Sequence, residues 1–293
     1  MANRRVLVKR RKAAQNIRKI TRTMQLVATA RFQAAFQRAT AAKPYTEKLA
    51  EVVAELANAL GGSDVSHPLM TLAPGAESRP AALVVLSSNR GLCGAYNANV
   101  LRTALGWLGE RRSRDLRTDV TMVGRKGASY FRFVRQATAE QLTELGDTPG
   151  FEQVEPIANA LMRRFLAGEI SAVHVAYMRF VSAGQQKPEI LQLLPLATPQ
   201  GAAGAKAPVE YELKPDPRSL LEELLPATVR VRLFQAFNEA VVSEQVARMV
   251  AMKAATDAAE DMIKRLTLKY NRARQTSITM ELLDIVGGAN ALA

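Results

Sequence analysis

The residues best placed to do chemistry are few, and none completes a site. Ser87, Ser88, Asn89, Arg90, Gly91, Leu92, Cys93 and Gly94 follow an apolar run, which sets a serine where a strand would hand it to a turn. A nucleophilic serine needs a base, but the G-x-S-x-G elbow is absent and no histidine accompanies the run. The chain has two histidines, His67 and His174, and neither has carboxylates or cysteines at metal-ligand spacing. His174 sits in a strand-like segment and reads as a packed residue. Gly124-Arg125-Lys126-Gly127 closes another apolar run and could cradle a phosphate, although a glycine turn after a strand more often just reverses the chain. No G-x-x-x-x-G-K-[ST] and no G-x-G-x-x-G occurs, which argues against a P-loop and a dinucleotide site. The single cysteine, Cys93, excludes an internal disulfide and a Cys-rich zinc site, and reads as a small buried hydrophobe. The expectation is a chain with no catalytic residues, no cofactor and no metal of its own.

The elements around these residues are unequal. Apolar residues recur at three- and four-residue intervals from Val6 to Ala42 and again from about Arg218 to Ile285, with almost no breaker inside. Helices of about 50 and about 65 residues would run roughly 75 and 100 Å, several times the width of a small core. Such helices need a partner along their length, and the simplest is each other, paired antiparallel. Ile17, Ile20, Met24, Val27, Ala28, Phe32, Ala35, Ala39 and Ala42 suggest the first seam; Phe234, Val242, Val246, Met249, Met252, Ala259 and Tyr270 suggest the second. Pro44 and Pro226 predict bends, the latter a kink or a broken first segment. Met280, Leu282, Leu283, Ile285 and Val286 put apolar bulk on more than one face before Gly287-Gly288, more than a two-helix seam can bury.

Between the helices the period changes. Residues 81–86 and 120–123 read as buried strands, 97–110, 128–133 and 157–166 as helices, and 172–181 and 190–196 as strands joined through a Gly184 turn. Strands alternating with helices give a Rossmann-like α/β sheet. The fold class is therefore α/β: a long antiparallel coiled coil of the terminal helices plus a central α/β domain. Its expected parts are residues 1–62, the first shaft helix ending at Gly61-Gly62; residues 63–216, the α/β foot, with a linker over 63–79 and a Pro- and Gly-rich connector over 199–217; and residues 217–293, the second shaft helix.

The chain carries a formal charge of +13 over 293 residues, with 48% hydrophobic content, enough for a core. No apolar stretch approaches a membrane span, so direct insertion into a bilayer is not expected. Twelve lysines and arginines precede the first acidic residue, Glu47. A cationic rod implies an acidic partner, which leaves open nucleic acid, anionic lipid or an acidic protein surface. An Arg-rich start also fits a transit peptide, but the pattern runs on into helix without a cleavage-like break. A basic coiled coil binding nucleic acid is the rival reading, weakened by the scarcity of aromatics among the cations and the lack of a binding module. A stand-alone enzyme in the α/β domain is a third, weakened by the missing cofactor motifs.

Three runs then carry a family resemblance. Ile17-Arg18-Lys19-Ile20-Thr21-Arg22-Thr23-Met24 with Val27-Ala28 resembles the N-terminal signature of the γ subunit of F-type ATP synthase. Asn89-Arg90-Gly91-Leu92-Cys93-Gly94 with Asn97 is similar to that family's strand-end motif. Ala251-Met252-Lys253-Ala254-Ala255-Thr256, Leu266 through Gln275, and Ile278-Thr279 resemble its C-terminal signature, the most specific of the three. Two residues depart from it: Asn89, where the family usually has Asp, and Pro226 in the lower shaft.

The resemblance implies a non-catalytic rotor shaft. It would turn inside a hexamer of alternating α and β subunits, with its foot on the membrane c-ring beside ε. It would couple proton or sodium-ion flow to ATP synthesis or hydrolysis at sites on the partners. On this resemblance Arg22 and Met24 match the shaft position facing the acidic lever of β. Arg274, Gln275 and Thr279 match the group that hydrogen-bonds a loop of β, and Leu282 and Ile285 belong to the tip held by α and β. The resemblance further implies no nucleic acid partner and a peripheral place on the cytoplasmic face of a bacterial inner membrane. The lone Cys93 leaves no regulatory dithiol.

Overall fold

The computed structural model describes residues 4–59, 67–71, 75, 78–196 and 217–292. The Gly61-Gly62 stop and most of the two expected connectors lie outside these residues. Ten elements follow in order: α1 (Arg4–Ala59), β1 (Ala81–Leu86), α2 (Tyr96–Ser113), β2 (Thr118–Val123), α3 (Arg125–Phe133), β3 (Glu140–Leu142), α4 (Phe151–Leu166), β4 (Val173–Ser182), β5 (Gln185–Leu194) and α5 (Pro217–Leu292). They form two compact units, Met1–Ala30 with Arg248–Ala293, and Arg31–Ala247.

In the first unit α1 and α5 pair antiparallel. Thr21 meets Thr256, Arg18 meets Glu260 at 3.7 Å, and Arg11 lies 5.2 Å from the centre of the Tyr270 ring. Leu7, Ala14, Thr21 and Ala28 are buried at intervals of seven, with Arg11, Arg18 and Gln25 half-buried between them. On α5 the buried Met252, Thr256 and Ala259 continue as half-buried Ile263, Leu266, Tyr270, Ala273 and Ser277, in steps of four and three. A sustained seven-residue repeat is the signature of a left-handed coiled coil.

This bears out Ala28, Met252 and Ala259 of the seam expected from hydrophobicity and corrects its placement of Ile17, Ile20 and Val27. Ile17, Ile20 and Val27 point outward, Ile20 with 59% of its surface exposed, while the smaller Ala14, Thr21 and Ala28 occupy the interface. Small residues let the two backbones approach closely, and the larger aliphatics one position away cannot enter so narrow a seam.

The second unit is a five-stranded sheet of order β3-β2-β1-β4-β5, parallel except for β5. All six residues of β1 are buried, as expected of the central strand. Ala82, Val84 and Leu86 face a core shared with α4, the first turns of α5 and the end of α1. Leu83 and Val85 face the opposite core, built from α2 and α3. Helices thus cover both faces, the doubly wound arrangement in which the order reverses between β1 and β4. Three-residue β3 was not expected, because Glu140 and Gln141 are exposed and give no apolar signal. Both β4 and β5 are ten residues long, and β5 begins at Gln185, earlier than its polar start suggested.

Neither proline interrupts its helix: α1 continues through Pro44 and α5 through Pro226. Pro226 removes one backbone donor, but Leu221, Leu225, Val229 and Leu233 on either side of it are buried in the core and hold the segment. The Gly287-Gly288 pair likewise fails to end α5, which runs to Leu292.

Within the coiled coil the Thr256 hydroxyl donates to Thr21 Oγ1 at 2.8 Å, and the Thr21 hydroxyl in turn reaches the Ile17 carbonyl at 3.0 Å. Replacing either threonine alone by valine should destabilise the chain by about 1 kcal/mol, while replacing both should cost less than the sum. A double-mutant cycle followed by urea denaturation checks this; strict additivity would show that the two hydroxyls are not coupled.

Candidate partner-binding surface

The carboxyl edge of the sheet, where an α/β domain would bind a ligand, is already filled by the protein's own groups. Ser87 Oγ donates to the Val123 carbonyl at 2.6 Å and accepts the Gly127 N–H at 2.9 Å. Ser88 Oγ is held by the Arg90 carbonyl and the Asn97 amide. At the start of α3 the Arg125 N–H goes to Asn89 Oδ1, the Lys126 N–H to the Ser88 carbonyl and the Gly127 N–H to Ser87. The free N–H groups that make a helix start an anion site are therefore satisfied internally. A Cβ on Gly124 would sit 2.3 Å from the Ser87 carbonyl oxygen, and one on Gly127 would sit 2.4 Å from Met122 sulfur. These glycines serve close packing, and the Gly124 turn, at φ 91°, suits glycine.

Cys93 is buried, with Asn97 Nδ2 3.3 Å from its sulfur. His174 lies on β4 with its ring 4.8 Å from that of Trp107, and burial lowers its pKa to about 4, with the Arg111 charge adding to the shift. It is a neutral packed residue. Asp147 accepts from Arg31 and from Arg90, each at 3.2 Å, and so ties α1 to the strand-end motif within the second unit. The motif's polar residues are structural.

The residues expected to meet partners are all on the coiled-coil unit. Arg22 is exposed and reaches Gln25 at 3.4 Å, while Met24 is half-buried. Arg274, Gln275 and Thr279 are exposed along one side of α5, and the Thr279 hydroxyl is turned back to the Gln275 carbonyl at 3.0 Å. The structure therefore brings the three together but leaves the Arg274 guanidinium without an ion pair among the described residues.

From the contact of Arg11 with Tyr270, seven residues bring α1 to its start at Arg4, and seven bring α5 to Ser277. Beyond Ser277 every described side chain up to Gly287 is exposed, with Leu282 at 57% and Ile285 at 68%. The tip is an uncovered helix with apolar residues on more than one face.

A family model described as ATP synthase matches residues 3–292. The ATP synthase gamma chain of Rhodopirellula baltica is 44% identical over 300 residues, covering 100% of this chain and 99% of that one. The gamma chain of Dehalococcoides mccartyi is 40% identical over 293 residues, with 100% of each covered. The chain belongs to the ATP synthase gamma-chain family. The fold is shared with the rotor of the Euglena gracilis mitochondrial ATP synthase, at TM-score 0.62 and 17% identity, over 94% of this chain and 98% of that one.

Membership of the gamma-chain family leaves the nucleic-acid reading without support. It also gives Asn89 a local meaning. Its Nδ2 donates to the Leu145 carbonyl at 2.8 Å while Oδ1 accepts from Arg125, a bridge that an aspartate could make on one side only. The outward strip of Ile17, Ile20 and Val27 was not expected, since hydrophobicity alone assigns these residues to the seam. The signal was present in the heptad run Leu7, Ala14, Thr21, Ala28, whose strict interval of seven outranks hydrophobicity.

Because folding holds His174 with a pKa below that of free histidine, the unfolded chain binds the extra proton. Stability is full above about pH 6.5 and falls as the pH drops toward 4. Allowing for the ring's partial exposure, the loss should be about 2 kcal/mol. Urea unfolding at pH 7 and pH 4.5, compared between the parent and His174→Leu, isolates this part of the slope; identical slopes would mean the ring protonates freely in the native state.

Proposed function

We propose that the chain turns as the central shaft of an ATP synthase, coupling proton or sodium-ion flow through a membrane c-ring to ATP synthesis or hydrolysis on the α and β subunits. The observation that carries this is the exposed apolar end of α5 in a chain of this family. A helix tip bearing Leu282, Leu283, Ile285 and Val286 in water forgoes about 1.5–3 kcal/mol for each side chain that a surrounding sleeve would bury. The outward Ile17, Ile20 and Val27 add a second apolar strip on α1.

Catalytic sites of identical sequence can be driven into different states only by contacts that differ between them. A two-helix shaft supplies that difference, since basic α1 carries the outward strip on one side and α5 carries the Arg274, Gln275 and Thr279 group on another. Arg22 and Met24 face the moving lever of β, and Arg274 with Gln275 and Thr279 holds a loop of β. A guanidinium suits this role because it binds a carboxylate through two donors and keeps its charge at any physiological pH. Residues 1–62 and 217–293 form the shaft, and 63–216 form the foot, which meets ε and the c-ring. The chain works peripherally on the cytoplasmic face of a bacterial inner membrane; no described helix is long and apolar enough to cross one.

Arg274→Ala should leave the thermal unfolding of the chain unchanged, since the side chain makes no ion pair among the described residues. It should lower coupled ATP turnover of the reconstituted complex several-fold, a loss on the order of 1 kcal/mol of coupling. Turnover equal to the parent's would remove Arg274 from the contact set. Ile285→Glu should weaken assembly with α and β while making the isolated chain more soluble, measured by gel filtration of the mixed subunits; undiminished assembly would place the tip outside any sleeve.

A further inference from the structure

At the edge of the sheet where β2 and β3 begin, two helices end side by side. The chain leaves α2 through Asp115 and leaves α3 through Arg135, both in the left-handed region at φ 54° and 55°. Arg112 Nη2 donates to Gln136 Oε1 at 2.8 Å and joins the two turns. This arrangement places Arg112, Arg114, Arg117, Arg132 and Arg135 on one edge, all exposed.

Helix carboxyl ends attract cations, so some positive charge here answers the helix dipoles. The cluster exceeds that need. Arg111 is engaged with the fold, its Nε donating to Thr118 Oγ1 at 3.1 Å and its guanidinium 5.1 Å from the centre of the Trp107 ring, and Arg112 is engaged through Gln136. Asp119 is already held by Arg164 at 2.5 Å, and Arg114, Arg117 and Arg132 form no ion pair among the described residues. Glu110, Asp115 and Glu140, the first residue of β3, are the exposed acids nearby, against five exposed guanidinium groups.

Among these arginines stands Phe133, 82% exposed, at the last residue of α3. Tyr130 and Val134, three residues before and one after, are also exposed and extend an apolar stripe along the outer face. An aromatic ring held clear of the surface and ringed by arginines suits the boundary between headgroups and acyl chains, where rings insert and arginines meet phosphates. A nucleic acid site would show a groove with several stacking rings, and this edge has neither.

We propose that this edge of the second unit is a contact site for anionic phospholipid headgroups. It uses residues of the foot to which the proposed function gives no individual role, and it does not rest on that reading.

The test uses the ATPase complex reconstituted from this chain with α and β subunits, co-sedimented with vesicles of phosphatidylglycerol and phosphatidylcholine or of phosphatidylcholine alone. The parent should bind the anionic vesicles, more weakly as salt rises, and bind the neutral ones poorly. The triple variant Arg114→Gln, Arg117→Gln, Arg132→Gln should lose roughly tenfold or more in vesicle affinity with ATPase activity unchanged. Phe133→Ser should lose several-fold and retain the salt dependence. Equal binding to neutral vesicles, or a triple variant that binds anionic vesicles as the parent does, overturns the proposal. A triple variant that keeps vesicle binding but fails to bind ε assigns the edge to a protein partner and overturns it too. ATPase activity separates these outcomes from any failure of the shaft.

Discussion

Two helices lying side by side can hide one stripe each, and the coiled-coil unit is governed by what that stripe contains. Here it is narrow: Ala14, Thr21 and Ala28 on α1 against Met252, Thr256 and Ala259 on α5. Small seam residues bring the backbones close, and close backbones leave no room for the branched side chains next to them. Ile17, Ile20 and Val27 are consequently displaced to the outside, where burial worth about 1.5–3 kcal/mol apiece is available only from another molecule. The seam that makes the pair thin also makes its surface adhesive. A wider interface built from those aliphatics would be more stable alone and would offer less to a surrounding subunit.

The second unit applies the opposite economy, in that its polar groups are consumed internally. The turn after β1, the turn after β2 and the Asn97 amide close on one another through Ser87, Ser88 and Asn89, so the first donors of α3 have no vacancy for an anion. Asp147 then binds Arg31 and Arg90 together, and this pins α1 to the same turns. With the carboxylate largely shielded from solvent, the pairing is worth more than a surface ion pair but remains modest. The doubly wound topology therefore keeps no open anion site at the start of α3, and such a fold does not by itself imply an activity.

Much of this was legible in the sequence because the signals were periodic. The two terminal helices, the six-residue β1 and the β4–β5 hairpin follow from runs long enough to average out exceptions. Ala28, Met252 and Ala259 were legible as seam residues, whereas Ile17, Ile20 and Val27 were misassigned: they look like core residues until the repeat of seven at Leu7, Ala14, Thr21 and Ala28 is counted. Polar β3 gave no signal, since Glu140 and Gln141 pair through backbone alone. Pro226 suggests a kink or a broken first segment because the cost of a proline is local, whereas the compensating burial of Leu221, Leu225 and Val229 belongs to the tertiary core. For the candidate surface, the apolar tip was visible as bulk on too many faces. The arginine edge was not, because its members come from two turns that only the sheet brings together.

The length of the uncovered tip depends on the register of the seam, which a buried polar contact holds together with the contacts of Arg18 with Glu260 and of Arg11 with Tyr270. Apolar seams of small residues specify register weakly, since sliding by seven returns a similar surface. The buried bond between Thr21 and Thr256 removes that degeneracy. A slip of one heptad would set Thr21 against Met249 or Ile263, lose the cross-helix bond and crowd a seam sized for alanine and threonine. It would also lengthen or shorten the overhang beyond Ser277 by about 10 Å. Hydroxyl pairing deep in the seam therefore helps to fix how far Leu282 and Ile285 project, and a partner that grips them reads a distance determined in part more than twenty residues away along the same helix.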